Sequence, residues 1–441
     1  MEMNDLILGS VDDHVIEPPD LFKQHLSGEH LAQAPQFVLD DQGNGSWVYE
    51  GQKVTNIGLN AVVGRPREEY GCEPTSLDHM REAVWNIDRR IDDMNVNGLC
   101  GSLCFGTFVG FDGGFFIQAQ DKQNTLRVIR AYNDWHIDEW CGAYPGRFIP
   151  LAILPLWDVN ACVAEIKRVK AKGCNAISFP DNPAAKGLPS IHNSCWEPFW
   201  QICNELKVVI NCHIGTGFQP PHPSMESPIN AWITGMPISI ANASADWVHL
   251  AALPRYPDLK IALSEGGIGW IPYFLERADF TFKHHIWTRM DLGGKLPSEI
   301  FREHFITCFI DDQFGVKNYA DIGEDIICYE SDYPHSDCTW PEAPEILWPS
   351  IKDLPERVIN KMTHENVMRE YSWDPFTQLG KENCTVGALR AQAAAAGVDT
   401  TPVSYGGGDP TKVGEGPVTS GDVVKLFVDQ LEGDGKSTDA A

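Results

Sequence analysis

The sequence predicts an α/β chain folded as a (β/α)8 (TIM) barrel, on three observations. Eight short apolar runs recur along the chain, separated by segments with helical spacing of apolar residues; a closed parallel sheet inside a ring of helices requires this alternation. Several runs stop on ionisable residues, Asp12-x-His14, His213, Glu265 and Asp332, and the strand ends on one rim are where barrels carry reactive groups. No glycine-rich phosphate fingerprint follows an early run, which argues against the open, doubly wound alternative.

The elements follow in order. Leu6-Ile7-Leu8 opens a buried first strand that runs into Asp12-Asp13-His14. An insertion at about residues 30–77 contains a hairpin, Phe37–Asp40 and Trp47–Tyr49 around the turn Gly43-Asn44-Gly45. Placed directly after the first strand, it is expected to lie over the catalytic face as a lid. Met80, Val84, Ile87, Ile91 and Met94 predict a helix from Asp78 to Met94. The second strand is Gly98–Phe105, followed by a long helix from about Asp121 to Ala143 that stops before Pro145-Gly146. Phe148–Leu154, Ala176–Phe179, Val208–Cys212, Leu259–Leu263, Phe305–Phe309 and Asp325–Tyr329 read as strands three to eight. Helices are expected at Asn160–Lys172, Cys195–Leu206 and across Pro228–Leu253. The barrel domain is placed at residues 1–380 and a low-complexity C-terminal tail at 381–441, with an Ala-rich stretch, a Gly406-Gly407-Gly408 linker and one amphipathic segment, Asp422–Leu431.

Composition bounds the function. A hydrophobic fraction of 43% with 14 Trp and 20 Phe supports a large core. The net charge of −27 argues against nucleic acid or an anionic membrane surface as a partner. No apolar run reaches the ~18 residues of a membrane span, and the polar start Met1-Glu2-Met3-Asn4-Asp5 is not that of a signal peptide. The 13 Cys lack a close-pair zinc pattern and read as buried thiols, so a cytoplasmic location is expected.

Side chains alternate along a strand, so Asp12 and His14 share one side of the first. Strands one and eight are neighbours in a closed barrel, which brings Asp332 beside them, with His213 and Glu265 across the mouth. Such a mixed imidazole and carboxylate set suits Zn²⁺, Mn²⁺ or another divalent ion. Gly215, Gly217, Gly266 and Gly267 flank two of these residues and are read as letting backbone approach a bound group. Trp270 and His335 are candidate substrate-pocket residues, His335 alternatively a partner of Asp332. Glu17 lies just past the first strand end.

Over about residues 6–375 the chain resembles the amidohydrolase-related family that includes aminocarboxymuconate semialdehyde decarboxylase and γ-resorcylate decarboxylase. The resemblance rests on Asp12-x-His14-x-x-Glu17-Pro18, Tyr144–Phe148 with Pro155-Leu156, His213-Ile214-Gly215, Pro257–Lys260 leading to Ser264–Gly267, and Ser331–His335. It implies a (β/α)8 barrel holding one divalent metal ion per chain, zinc first and manganese as the alternative, on Asp12, His14, His213 and Asp332. It also implies a homodimer. His192, His222, His249, His284 and His285 fall on none of its motifs. Two positions depart from it: Asp12 replaces the first His of the usual His-x-His pair, making the site more anionic, and Glu265 replaces the strand-six His that the decarboxylases use as acid or base.

The expected function is a metal-dependent decarboxylase of a small, aromatic or unsaturated carboxylic acid, with Asp332, Glu265 and His213 as catalytic residues. A metal-dependent hydrolase opening a lactone, ester or amide is the alternative reading, and a barrel that binds a ligand without catalysis the third.

Overall fold

The computed structural model describes residues 1–71, 73–405 and 416–425. The strands are β1 (Leu8–Val15), β2 (Gln36–Leu39), β3 (Gly45–Tyr49), β4 (Gln52–Val54), β5 (Leu99–Gly106), β6 (Phe148–Ile149), β7 (Leu151–Ala152), β8 (Ala176–Ser178), β9 (Val209–His213), β10 (Ile261–Ser264), β11 (Phe305–Phe309) and β12 (Ile327–Tyr329). Nine of them form one parallel sheet in the order β6-β5-β1-β12-β11-β10-β9-β8-β7. The two ends of that order, β6 and β7, are halves of one strand interrupted at Pro150, which cannot donate to a ladder. The sheet therefore returns on itself, and the eight expected barrel strands are all present. They are short and buried on both sides, as strands wrapped by helices must be.

The helical layer differs from expectation in instructive ways. Instead of one helix from Asp78 to Met94 there are two 3-10 turns, Leu77–His79 and Glu82–Val84, and a helix only at Ile87–Val96. Asn86 starts it, its side chain accepting from Asp88 N at 3.0 Å and Arg89 N at 3.4 Å. The long helix is α-helical over Lys122–Asp134 and widens to a π-helix over Trp135–Cys141, seating Trp135, His136 and Trp140 in the core.

The insertion is a three-stranded antiparallel sheet, β2-β3-β4, rather than a two-stranded hairpin. It packs beside the barrel, Trp47 stacking on Phe108 at 4.3 Å. Its last part reaches the catalytic rim: Val62 and Val63 donate to Pro334 O, each at 3.1 Å. Gly64–Arg67 and Tyr70, and none of the hairpin residues, line a cavity at that rim.

The segment expected as a tail is in part integral. Val386–Ala396 is a helix, and its Val386, Leu389 and Ala393 stripe is buried against the barrel, with Val386 N donating to Leu6 O at 2.8 Å. Composition alone suggested low complexity; the i, i+3, i+7 spacing is what seats it. Residues 420–425 are also helical, whereas the Gly406–Gly408 linker and residues 426–431 of the amphipathic segment lie outside the described residues. Among the described residues no helix is long and apolar enough to cross a membrane.

Candidate active site

All five ionisable strand-end residues meet at the C-terminal rim. Asp12 and His14 project from β1 to one side, while Asp13 between them faces the other, where it accepts from Tyr333 N at 2.9 Å and from Ser102 Oγ. Main-chain bonds stitch the segment after β12 to β1, with Asp332 N donating to Asp12 O at 2.8 Å and His14 N to Tyr333 O at 2.6 Å. These two bonds bring Asp332 against the β1 pair. His213 ends β9, and Glu265 directly follows β10.

The ring nitrogens and carboxylates converge. His14 Nε2 lies 3.3 Å from His213 Nε2, 3.4 Å from Asp332 Oδ1 and 3.6 Å from Asp12 Oδ1. His213 Nε2 is 3.6 Å from Asp12 Oδ2 and 3.1 Å from Glu265 Oε2. His213 Nδ1 faces Ile214 O at 2.8 Å, fixing the ring so that Nε2 turns inward.

Asp12 and Asp332 are fully buried, yet neither carboxylate oxygen of Asp12 has a hydrogen-bond partner, and the Asp332 carboxylate has only His335 Nδ1 close by, 2.8 Å from Oδ1. Buried carboxylates left without donors are costly, and two inward imidazole nitrogens 3.3 Å apart have lone pairs aimed at one space. A divalent cation is the group that this donor set fits. His14, Glu265, Asp332 and His335 form one potential ligand group, and Asp12, His14 and His213 another that shares His14.

Electrostatics agree. Burial drives the Asp12 and Asp332 carboxyls well above their usual range, with the neighbouring acids adding to it, and drives His14 well below. Burial also opposes charge on His213, but Asp12 and Glu265 outweigh it and carry His213 up to about 9. A cation among these residues acts in the opposite sense, holding the carboxylates ionised and the imidazoles neutral. Phe105 and Phe111 close the floor, Phe111 lying 4.6 Å from His14 and 4.3 Å from His213, ring centre to ring centre.

The site also contains backbone strain. Glu265 and Asp332 are both in the left-handed region, at φ +59° and +55°, a conformation that costs a side-chain-bearing residue about 1–3 kcal/mol. Glu330 restrains the first: its Oε2 accepts Glu265 N at 3.0 Å and Cys308 Sγ at 2.6 Å. Burial raises the Glu330 carboxyl to about 7.

The two candidate pocket residues part company. Trp270 lines a cavity of about 890 Å³ at the rim, and its indole N–H holds the following loop by donating to Gly266 O and Gly267 O at 3.0 and 3.1 Å. His335 sits within the ligand cluster instead, stacked on His14 at 3.8 Å with Nδ1 2.8 Å from Asp332 Oδ1. Two of the flanking glycines serve packing rather than ligand approach: a Cβ at Gly266 would meet Ile240 at 2.3 Å, and one at Gly217 would meet Asn182 O at 2.6 Å. Glu17 is structural, its carboxylate accepting from Thr107 N, Phe108 N and Tyr132 OH at 2.8, 3.1 and 3.1 Å.

Sequence reasoning left Glu330, Phe111 and the cavity arginines Arg65 and Arg67 without a role. Glu330 was within reach, since it stands two residues before Asp332; the others are set by loops whose course no local pattern encodes.

A parallel barrel with buried imidazoles and carboxylates gathered at its C-terminal rim is the architecture of metal-dependent hydrolases and carboxy-lyases. Residues 79–372 match the amidohydrolase (Amidohydro_2) family model, and the chain belongs to that family. It is an enzyme of decarboxylase or hydrolase class. The 2-amino-3-carboxymuconate-6-semialdehyde decarboxylase of Dictyostelium discoideum is 24% identical over 303 residues, 66% of this chain and 78% of that protein. A γ-resorcylate decarboxylase of Rhizobium sp. is 26% identical over 237 residues, 48% of this chain and 68% of that protein. Among solved structures, an amidohydrolase from Mycobacterium avium subsp. paratuberculosis superposes with a TM-score of 0.64 at 20% identity, covering 83% of this chain and 99% of that one. A 5-carboxyvanillate decarboxylase from Novosphingobium aromaticivorans, with bound manganese, superposes at 0.58 and 17% identity, covering 84% and 98%.

Proposed function

We propose that this enzyme is a metal-dependent decarboxylase of a small aromatic or unsaturated carboxylic acid. The observation that carries the reading is the convergence of the buried Asp12, His14, His213 and Asp332 side chains on one point of the rim, where neither carboxylate oxygen of Asp12 has a hydrogen-bond partner. Those four residues would hold one divalent ion. The two imidazoles favour zinc, the two carboxylates manganese, the metal bound in the 5-carboxyvanillate decarboxylase. When bound, the ion supplies Lewis acidity to a chelating substrate.

The chain's own groups do the rest. Trp270 offers a flat wall to a planar acid in the cavity. Asp332, which would first take up a proton from solvent, delivers it to the carbon that bears the carboxylate as that carbon–carbon bond breaks; the bond's electron pair forms the new C–H bond, CO₂ leaves, and Asp332 is left ionised as before. Glu265, 3.1 Å from His213 Nε2, is a further acid or base, or a ligand. Phe105 and Phe111 keep water from the floor.

Glu265 also supports a second reading. A carboxylate where the decarboxylases carry His suits hydrolysis, with Asp332 accepting the proton of an attacking water and a lactone, ester or amide opening.

Elemental analysis of wild type and of the folded Asp332→Ala, His213→Ala double variant tests the site: about one zinc or manganese per wild-type chain is expected, and none in the variant. CO₂ release from hydroxybenzoic and enoic acids, run beside lactone and amide opening, then separates the two chemistries. A wild type that stays folded and takes up no metal would remove both.

A homodimer in the cytoplasm belongs to the same proposal. The exposed apolar side chains of Tyr273, Phe280, Ile286 and Trp287 on and after the Ile271–His284 helix support the dimer, and free thiols support the location. Sedimentation equilibrium of wild type against Trp287→Asp tests the former.

A further inference from the structure

The family match ends at residue 372, but the chain goes on and turns back over the barrel rim. Asp399 O accepts Arg81 Nη2 at 2.9 Å, Val403 N donates to Gly64 O at 2.9 Å, and Ser404 Oγ donates to Glu69 Oε1. The Tyr405 ring lies 5.6 Å from the Arg65 guanidinium. Between these attachments Thr400 and Pro402 form part of the wall of the 890 Å³ cavity, whose inner lining includes Glu265, Glu330 and Trp270.

A second attachment follows. Residues 418–421 run antiparallel to 225–229: Ile229 N donates to Val418 O, Ser420 N to Ser227 O and Gly421 N to Met225 O, each at 2.9 Å. Ser420 is buried there, with Oγ 2.9 Å from His222 Nδ1. This strip leads into the Ile229–Trp247 helix, whose Pro237 and Ile238 form another part of the same wall. The C-terminal extension is thus fastened to two of the elements that bound the cavity.

We propose that residues 399–405 are a specificity-determining wall of the substrate pocket, fixing how large a substituent the acid carries. The Arg81 guanidinium at Asp399 O and a main-chain bond from Val403 N to Gly64 O pin the span at both ends and Pro402 fixes its own φ, so Thr400 and Pro402 form a stiff boundary and not a loose flap. Both are small. The cavity they leave lies near the top of the ~300–1,000 Å³ that encloses drug-sized ligands, more than a single-ring acid fills. The cavity is open at its mouth and its lining mixes Trp270 with Arg65, Arg67, Asp311 and Asp312; the chemical class is therefore an aromatic acid bearing a bulky substituent, such as a second ring. This rests on the carboxylic-acid reading above.

The test uses the full-length, metal-loaded protein and two probes, salicylate and 5-phenylsalicylate, titrated by calorimetry. Thr400→Trp is expected to weaken 5-phenylsalicylate by at least about tenfold and salicylate by less than about twofold, with metal content unchanged. Val403→Pro, which removes the bond to Gly64 O, is expected to lessen discrimination between the two acids. Failure of wild type to bind 5-phenylsalicylate, or an unchanged affinity ratio in Thr400→Trp, overturns the proposal. Absence of CO₂ release from acids that do bind would overturn decarboxylation alone and leave the wall standing.

Discussion

The two sides of β1 handle buried charge in opposite ways. On the outer side, Asp13 and, just past the strand, Glu17 are fully buried and well served, Asp13 by Ser102 and Tyr333 N, Glu17 by two main-chain N–H groups and Tyr132. On the inner side, Asp12 is equally buried and its carboxylate accepts nothing. Neighbours in sequence, alike in burial and chemistry, they differ only in whether the fold supplies donors. Where it does, the carboxylate fastens loops to the barrel; where it does not, the vacancy in hydrogen bonding marks the place where a ligand belongs.

That contrast can be broken most forcefully from the inside. Asp12→Asn is expected to abolish metal binding and to lower kcat/KM by about 10³-fold or more, the scale on which a metal's contribution is lost. The metal-free variant should be no less stable than metal-free wild type by urea unfolding, because an unpartnered buried carboxyl has been removed. The outer side should behave the other way. Glu17→Ala strands two N–H groups and a hydroxyl, and a loss of about 2–4 kcal/mol in urea unfolding is expected, with metal stoichiometry kept in the folded fraction.

A smaller effect sharpens the comparison by pH. Burial lifts Glu17 to about 7 against its hydrogen bonds. A carboxyl whose folded value exceeds its unfolded one contributes stability that is complete below the ordinary Glu value and is lost as pH rises through about 7. Glu17→Gln should therefore flatten the fall in unfolding free energy between roughly pH 4.5 and 7. The smallest change is expected at Glu330→Gln, which keeps an acceptor for Glu265 N: kcat should fall by about tenfold or less, with metal content unaltered, while Glu330→Ala should cost more.

Much of this was legible before any coordinates. The eight strands stood out because short, continuously apolar runs bounded by turns have few other uses in a chain of this length. Asp12, His14, His213, Glu265 and Asp332 all reach the rim, since a strand end in a barrel leaves few other directions for a side chain. What misled was periodicity read as continuity. Met80 and Val84 are buried as the pattern requires, yet two 3-10 turns bury them and the helix waits for Asn86. The π turn at Trp135–Cys141 has no sequence signature, and an Ala-rich stretch looked like tail although Val386, Leu389 and Ala393 carry a core-facing stripe. The attachment of residues 399–405 to the rim spans more than 300 residues of chain, so nothing local announces it.

The break at Pro150 has a consequence of its own. A barrel of this kind is a cask, and one of its staves is cut: β6 leans on β5, β7 on β8, and Asn133 splints the far end by bonding both Ile153 N and Ile153 O. With only two residues on either side of the cut, that stave has a thin grip on its neighbours. Its amides should be among the earlier ones of the cask to trade hydrogen for deuterium. The staves that carry Asp12, His14, His213, Glu265 and Asp332 are others, so the cask can work at this joint without spilling what the rim holds.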